Sequence, residues 1–248
     1  MSKILAKTPL SIGIFRSVLY HFGHRIHVPL TVGPLRGLWW QPASGGKLGR
    51  LLLGNYEPEQ SALFVKLVHQ GEQVLDIGAS TGYYTLLSAQ RVGKSGRVLS
   101  FEPCPQNLKF LETHVHKNRL FNVTVLPVAL ADETGITRFI NGTGTGTGRL
   151  CKDGQTEVAV RRLDEVVQEM GLHPHHLKID VEGAELAVLR GGENSIQKFH
   201  PTIFLSTHEV IHPGIHSECC KMLRSWGYRL TPIIGPTVDQ SAELICIN

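Results

Sequence analysis
The apolar positions of this chain change period near residue 58. Upstream, residues 25–32 alternate, with Ile26, Val28, Leu30 and Val32 on one side, and Gly33-Pro34 turns the chain into residues 35–41, so this stretch reads as a hairpin. Ahead of it, Phe15, Val18, Leu19 and Phe22 share one helical face flanked by Lys7, Arg16 and Arg25. Such a face suits a helix lying on a membrane surface or, more commonly, one packed on the domain or on a partner subunit. From Pro58 onward, short β-branched and leucine runs alternate with helically spaced stretches. Pro58 and Glu59 open a helix carrying Leu63, Phe64, Leu67 and Val68, which Gly71 closes. Strands are expected at 73–77, 97–101, 123–128, 177–181 and 203–206. The helices between and after them carry Leu86, Leu87 and Val92, then Leu108, Leu111 and Val115 after Pro105, then Leu186, Leu189 and Ile196, then the stripe Ile215, Cys219, Met222, Leu223 and Trp226. A short hairpin at 129–140, a Gly-Thr loop at 142–148, a strand at 158–160 and a helix at 163–170 fill the middle. Two last strands, 228–230 and 244–247, have no helix between them.

Strands alternating with helices imply an α/β fold with a mainly parallel sheet and helices on both faces. The closing hairpin adds one antiparallel strand, so the expected core is a seven-stranded sheet of the methyltransferase type (class I, Rossmann-like) rather than a dinucleotide-binding one. Residues 1–50 form an N-terminal helix and hairpin extension, and 51–248 the main domain.

Ligands of such sheets bind at the carboxyl ends of the strands. There the sequence collects Asp76, Gly78, Ala79, Ser80, Thr81 and Gly82, then Glu102-Pro103, then Ala129 and Leu130, then Asp180-Val-Glu182-Gly-Ala-Glu185, then Thr207-His208-Glu209. A strand that stops at a glycine loop and restarts as a helix offers backbone N–H groups to a nucleotide-like ligand. Gly78-x-x-x-Gly82 lacks the middle glycine that brings backbone close to a pyrophosphate, and no phosphate-binding lysine follows. Glu102, at the end of the second strand, is placed to accept both hydroxyls of a ribose. A cofactor with a ribose, no phosphate and a positive sulfonium suits this acidic edge, so S-adenosylmethionine fits better than NAD or ATP.

The segments Asp76-Ile-Gly-Ala-Ser-Thr-Gly-Tyr-Tyr-Thr, Phe101-Glu-Pro and Leu177-Lys-Ile-Asp-Val-Glu-Gly-Ala-Glu185, with the lead-in Gly54-Asn-Tyr-Glu57, resemble the FkbM-type S-adenosylmethionine-dependent methyltransferases. The resemblance covers roughly residues 50–210. Two positions depart from it: Ser80 stands where the family usually has Asn, and Ser206-Thr-His208-Glu209 replaces its Glu-x-His. The resemblance implies that Asp76 and the 78–82 loop hold the methionine part of the cofactor, Glu102 the ribose, and Ala129 and Leu130 the adenine, with Glu57, Tyr83 and Tyr84 as pocket walls. It implies O-methylation of a hydroxyl on a sugar, glycan precursor or other natural product. His208 and Asp180 are the candidate bases, and Glu182 a ligand for substrate hydroxyls. The competing reading is a non-catalytic cofactor-binding partner subunit of a methyltransferase. Asp180, Glu182 and Glu185 have the chemistry of divalent-ion ligands, yet nothing in the sequence requires an ion and no metal is assigned. His208, His212 and His216 have metal-like spacing, but Pro213-Gly214 breaks the helix that would align them.

Composition adds limits. The chain has 248 residues, net charge +4 and no Lys/Arg run interleaved with aromatics, so nucleic acid is not an expected partner. Its five cysteines form no C-x-x-C pair, so a disulfide framework, a zinc site and an oxidising compartment are not expected. No apolar run reaches membrane-spanning length, and no signal peptide is expected. A cytoplasmic protein acting on a small-molecule or glycan acceptor, with a homodimer compatible, is the resulting expectation.

Overall fold
A computed structural model describes residues 26–45, 48–140, 148–151 and 153–248. The expected first helix, with Phe15, Val18, Leu19 and Phe22, lies outside the described residues, as does most of the Gly-Thr loop.

The chain opens with a small antiparallel pair, β1 (Val28–Pro29) and β2 (Trp39–Trp40), in the region expected to form a hairpin. The pair is short because Pro29 has no N–H to donate. Two further bonds, Leu30 N–H to the Leu38 carbonyl and Gly37 N–H to the Leu30 carbonyl, both 2.8 Å, carry the pairing inward. Helices α1 (Leu48–Leu52) and α2 (Pro58–Leu67) follow. Next come β3 (Gln73–Ile77), α3 (Tyr83–Val92), β4 (Arg97–Phe101), α4 (Pro105–Lys117) and β5 (Val123–Leu126). The expected strand over 123–128 is divided. Pro127 cannot donate to a ladder, and beyond it β6 (Val128–Ala131) leaves the main sheet for a second one.

That second, four-stranded sheet also holds β7 (Gly135–Ile140), β8 (Arg149–Leu150) and β9 (Thr156–Arg162), in the order β6-β9-β7-β8. The hairpin expected at 129–140 therefore does not form. β9 inserts between its two arms, parallel to β6 and antiparallel to β7, with Val158 and Val160 buried beneath. Helix α5 (Leu163–Glu169) leads into β10 (His176–Ile179). The helix expected through Leu186, Leu189 and Ile196 is two, α6 (Glu185–Gly191) and α7 (Glu193–Phe199). Gly191 and Gly192 sit at the break, and a Cβ on Gly191 would lie 1.9 Å from the Ala131 carbonyl oxygen, so only glycine lets the helix approach β6 so closely. The chain ends with β11 (Thr202–Ser206), α8 (Ile215–Ser225), β12 (Arg229–Pro232) and β13 (Glu243–Ile247).

The seven-stranded sheet has the order β12-β13-β11-β10-β3-β4-β5. β13 is antiparallel to both its neighbours, and the other pairings are parallel. This is the expected mainly parallel sheet with one antiparallel strand, flanked by helices on both faces. Alternation along the strands gives each face its own core. Leu75, Ile77, Leu99, Phe101, Leu177, Ile179, Ile203 and Leu205 pack with Val166, Val188, Leu189, Ile196 and Leu223 of the later helices. Val74, Val98 and Phe204 pack on the other face with Phe64, Tyr84, Leu86 and Leu87, and with Leu30, Leu35 and Trp40 of the N-terminal segment. Toward the carboxyl edge that second face turns polar: Lys178, Asp76 and Ser100 are register neighbours on adjacent strands. No helix among the described residues is long and apolar enough to cross a membrane.

Candidate functional site
A cleft with about 690 Å³ of open space lies over the carboxyl ends of β3, β4 and β10, closed on one side by the small sheet. Gly78, Ser80, Glu102, Pro103, Ala129, Leu130, Asp180 and Glu182, all read from the sequence as site residues, line it together.

Glu102 is its best-defined polar group. The side chain is 4% exposed. Its Oε2 accepts from Ser80 N–H at 2.7 Å, and its Oε1 from Cys104 N–H at 2.8 Å and Asn107 Nδ2 at 3.3 Å. Burial outweighs these three donors and, with the nearby Asp76 charge, raises the carboxyl to about 6. The carboxylate is held in one orientation with lone pairs to spare, as a ribose diol requires. Ser80 Oγ is buried without a partner, and Val128, Ala129, Leu130, Phe139 and Leu150 supply an apolar wall on which a purine fits. The residues present thus suit the expected cofactor. Because ribose hydroxyls donate to the ionised carboxylate, protonating Glu102 opposes binding. Cofactor affinity is expected to fall as pH drops through about 6, approaching tenfold per pH unit, and to level off above neutrality. Calorimetric titration across about pH 5 to 8 reads this. Glu102→Gln is expected to bind more weakly and to lose the pH dependence; a flat wild-type profile overturns the assignment.

The glycine loop works differently from the N–H cradle expected. Gly78 N–H and Ala79 N–H both donate to the Phe101 carbonyl at 3.0 Å, and Ser80 N–H goes to Glu102. The loop curls back on the end of β4, and these donors fix its shape instead of meeting a ligand. Thr81 is held through its carbonyl, which accepts from His114 Nδ1 at 2.7 Å, while His114 Nε2 accepts from Gln41 N–H at 2.9 Å. Burial lowers His114 to about 4, so it stays neutral and bridges the N-terminal segment to the loop, stacked 4.0 Å from Trp40. Gly82, at φ 99, caps α3 against Leu111.

Other expected cofactor residues lie behind the cleft. Asp76 points to the face opposite Ile77 and accepts from Thr85 Oγ1 at 2.6 Å, which also bonds Ser100. Tyr83 and Tyr84 belong to the second core; Tyr84 donates to Glu57 Oε2 at 2.8 Å, and burial together with Glu57 raises its hydroxyl well above the usual range. These residues buttress the loop from below.

His208 does not line the cleft itself; it meets the β10 motif through Asp180 and Glu182, which do. Its Nε2 lies 3.5 Å from both Asp180 Oδ1 and Glu182 Oε2, and its Nδ1 is 2.7 Å from Glu185 Oε1. Burial works to lower His208, but the bond to Glu185 and the charges of Asp180, Glu182 and Glu185 outweigh it, and the imidazole is raised. Asp180 Oδ2 accepts from Lys178 Nζ at 3.3 Å, which also donates to Ser206 Oγ at 3.0 Å. The neighbouring histidines stay apart: His216 is buried on Thr207 and Cys220, and His212 is exposed. Glu209, beside the altered Glu-x-His position, caps the start of α8 by accepting from Gly214 and His216 N–H.

Asn107, His114 and Lys178 join the site without standing out in the sequence. Asn107 and His114 lie on the buried face of α4 with Phe110 and Leu111, and Lys178 precedes Asp180 by two in a strand, on the same side of the pleat. A lysine flanked by Leu177 and Ile179 inside a buried strand is the available signal.

Residues 76–230 match the family model described as the methyltransferase FkbM domain. A 63-residue stretch is 40% identical to the ribosomal RNA large subunit methyltransferase E of Lawsonia intracellularis, over 23% of this chain and 32% of that one. Methyltransferase sdnD of Sordaria araneosa is 26% identical over 194 residues, covering 64% of this chain and 74% of its own. In fold, the chain is similar to the crystal structure of methyltransferase FkbM from Methylobacillus flagellatus, with a TM-score of 0.52 at 17% identity, over 96% of this chain and 60% of that one. The chain thus spans about a third of the first of these relatives and 60% of the solved structure.

Proposed function
This chain belongs to the FkbM methyltransferase family, and from that premise we propose that it transfers the methyl group of S-adenosylmethionine to a hydroxyl of a sugar, glycan precursor or other natural product. The coarser part follows from the family: the protein is an S-adenosylmethionine-dependent methyltransferase. The choice of a hydroxyl rests on one observation, the convergence of His208 on Asp180 and Glu182, two carboxylates that line the cleft on the β10 side.

When bound, S-adenosylmethionine supplies an electrophilic methyl on a sulfonium, which a nucleophile displaces in line. An amine is already nucleophilic near neutrality, whereas a hydroxyl must lose its proton as the C–O bond forms. Ionisable groups beside the nucleophile promote that loss, typically by ~10²–10⁴-fold. Glu102 holds the ribose end, the apolar wall of β6, β7 and β8 excludes water from the purine side, and Asp180 and Glu182 face the acceptor side. Orientation in a dry cleft supplies the remaining acceleration.

The test is transfer of labelled methyl to a panel of hydroxylated sugars, glycan precursors and alcohols, with amines and RNA alongside. Label in ether linkage on a hydroxylated member is the expected result. Label confined to amines or RNA overturns the hydroxyl assignment. Cofactor binding with no transfer to any acceptor overturns catalysis and favours the partner-subunit reading.

A further inference from the structure
The cluster at the acceptor end has the chemistry of an ion site. Asp180, Glu182 and His208 each offer one ligand atom, and the three atoms lie within 4.8 Å of one another. The two His208 separations, 3.5 Å each, exceed the ordinary N–H···O range of about 2.7–3.2 Å. They match the edge of a tetrahedron whose ligands stand about 2.0–2.2 Å from its centre.

Two fully buried groups aim these ligands from behind. Glu185, 0% exposed, takes His208 Nδ1 and leaves Nε2 facing the two carboxylates. Lys178, 1% exposed, takes Asp180 Oδ2 and leaves Oδ1 facing His208. A carboxylate behind the histidine and a donor behind the carboxylate form the outer shell that orients metal ligands.

Glu185 Oε2 is buried without a hydrogen-bond partner. An orphaned carboxylate oxygen in such a cluster is costly unless further positive charge is present.

We propose that Asp180 Oδ1, Glu182 Oε2 and His208 Nε2 bind one divalent transition-metal ion of the manganese-to-zinc range. An imidazole beside two carboxylates favours these ions over magnesium or calcium, which prefer all-oxygen shells. Asp180 and Glu182 also line the cleft, so the ion stands in its wall at the acceptor end. Resting on the hydroxyl-transfer reading, the proposal deepens it: the acceptor hydroxyl binds the ion, its proton becomes more acidic and leaves to water, and the oxygen takes the methyl as the C–S bond breaks toward sulfur. The three side chains are then ligands, with Glu185 and Lys178 as positioning residues.

The experiment is Mn²⁺ titration of the EDTA-stripped full chain, read by loss of the free-ion electron paramagnetic resonance signal, with Co²⁺ visible absorption as a second probe. One Mn²⁺ per chain is expected. Glu182→Gln and His208→Gln, each checked for folding by its melting curve, are expected to weaken binding by at least about 100-fold, and Glu185→Gln by about 10–100-fold. Absence of stoichiometric Mn²⁺ and Co²⁺ binding, or binding that neither His208→Gln nor Glu182→Gln alters, overturns the site. The two readings fail separately. Stoichiometric Mn²⁺ binding without transfer to any hydroxyl leaves the ion site and removes the hydroxyl assignment. Unchanged hydroxyl methylation by stripped protein that takes up no ion does the reverse.

Discussion

Gly78→Ala is expected to cost about 2–5 kcal/mol of stability and to weaken cofactor binding by at least about 100-fold. Gly78 sits at φ 84, where alanine is strained, and its Cβ would lie 1.9 Å from the backbone oxygen of Asp180. That neighbour is main chain at the end of β10 and cannot rotate away. Accommodation has to move the β3 loop and the β10 motif apart, and both line the cleft. Gly82→Ala is the control. Its φ of 99 carries similar strain, but its Cβ would meet the Leu111 Cδ1 atom at 2.7 Å, the far end of a flexible side chain. Thermal melts should show the difference: a fall of roughly 4–20 °C for Gly78→Ala at about 2–4 °C per kcal/mol, and a smaller one for Gly82→Ala. Calorimetry gives the affinities. Equal losses in the two variants would contradict the close approach of β3 and β10.

Asp180→Asn is expected to lower single-turnover methyl transfer by ~10²–10⁴-fold, the range typical of removing a group that assists proton loss. The substitution also leaves Lys178, buried at 1% exposure, without its ion partner 3.3 Å away. Because Asp180 is 36% exposed, the loss is smaller than the about 3–5 kcal/mol typical of a fully buried pair, and replacing both partners by neutral groups costs little. The double variant Lys178→Met with Asp180→Asn should therefore recover most of the stability lost by the single variant while its turnover stays low. That separation distinguishes a role in the reaction from a role in folding. Near-normal single-turnover rates in Asp180→Asn would remove the residue from the acceptor side.

The element order was legible from the sequence because helical and strand periods are written locally. β3 and β4 match the expected ranges at both ends, and β13 follows β12 with no α-helix between, only the single 3-10 turn Val238–Gln240, as the antiparallel pairing allows. The structure departs from the local pattern where partners come from afar. Pro127 passes the chain from one sheet to another, and β9 slips between β6 and β7; no local pattern names a strand's neighbour. In the site, the glycines, Glu102 and the Asp180 motif stood out because special backbone angles and acidic strand ends are visible residue by residue. His114 and Lys178 did not, because a polar residue on a buried face declares itself only once the layers are packed.

The sequence by itself determined the kind of sheet, the edge on which the site lies and the family, since period, glycine spacing and acidic strand ends are local properties of the chain. The tertiary structure decided which side chains share the cleft. One step along β3 sends Ile77 into it and Asp76 to the opposite face, because strand side chains alternate. The parallel pairing of β10 with β11 brings His208 to Asp180 and Glu182, a convergence that depends on strand register rather than on sequence spacing.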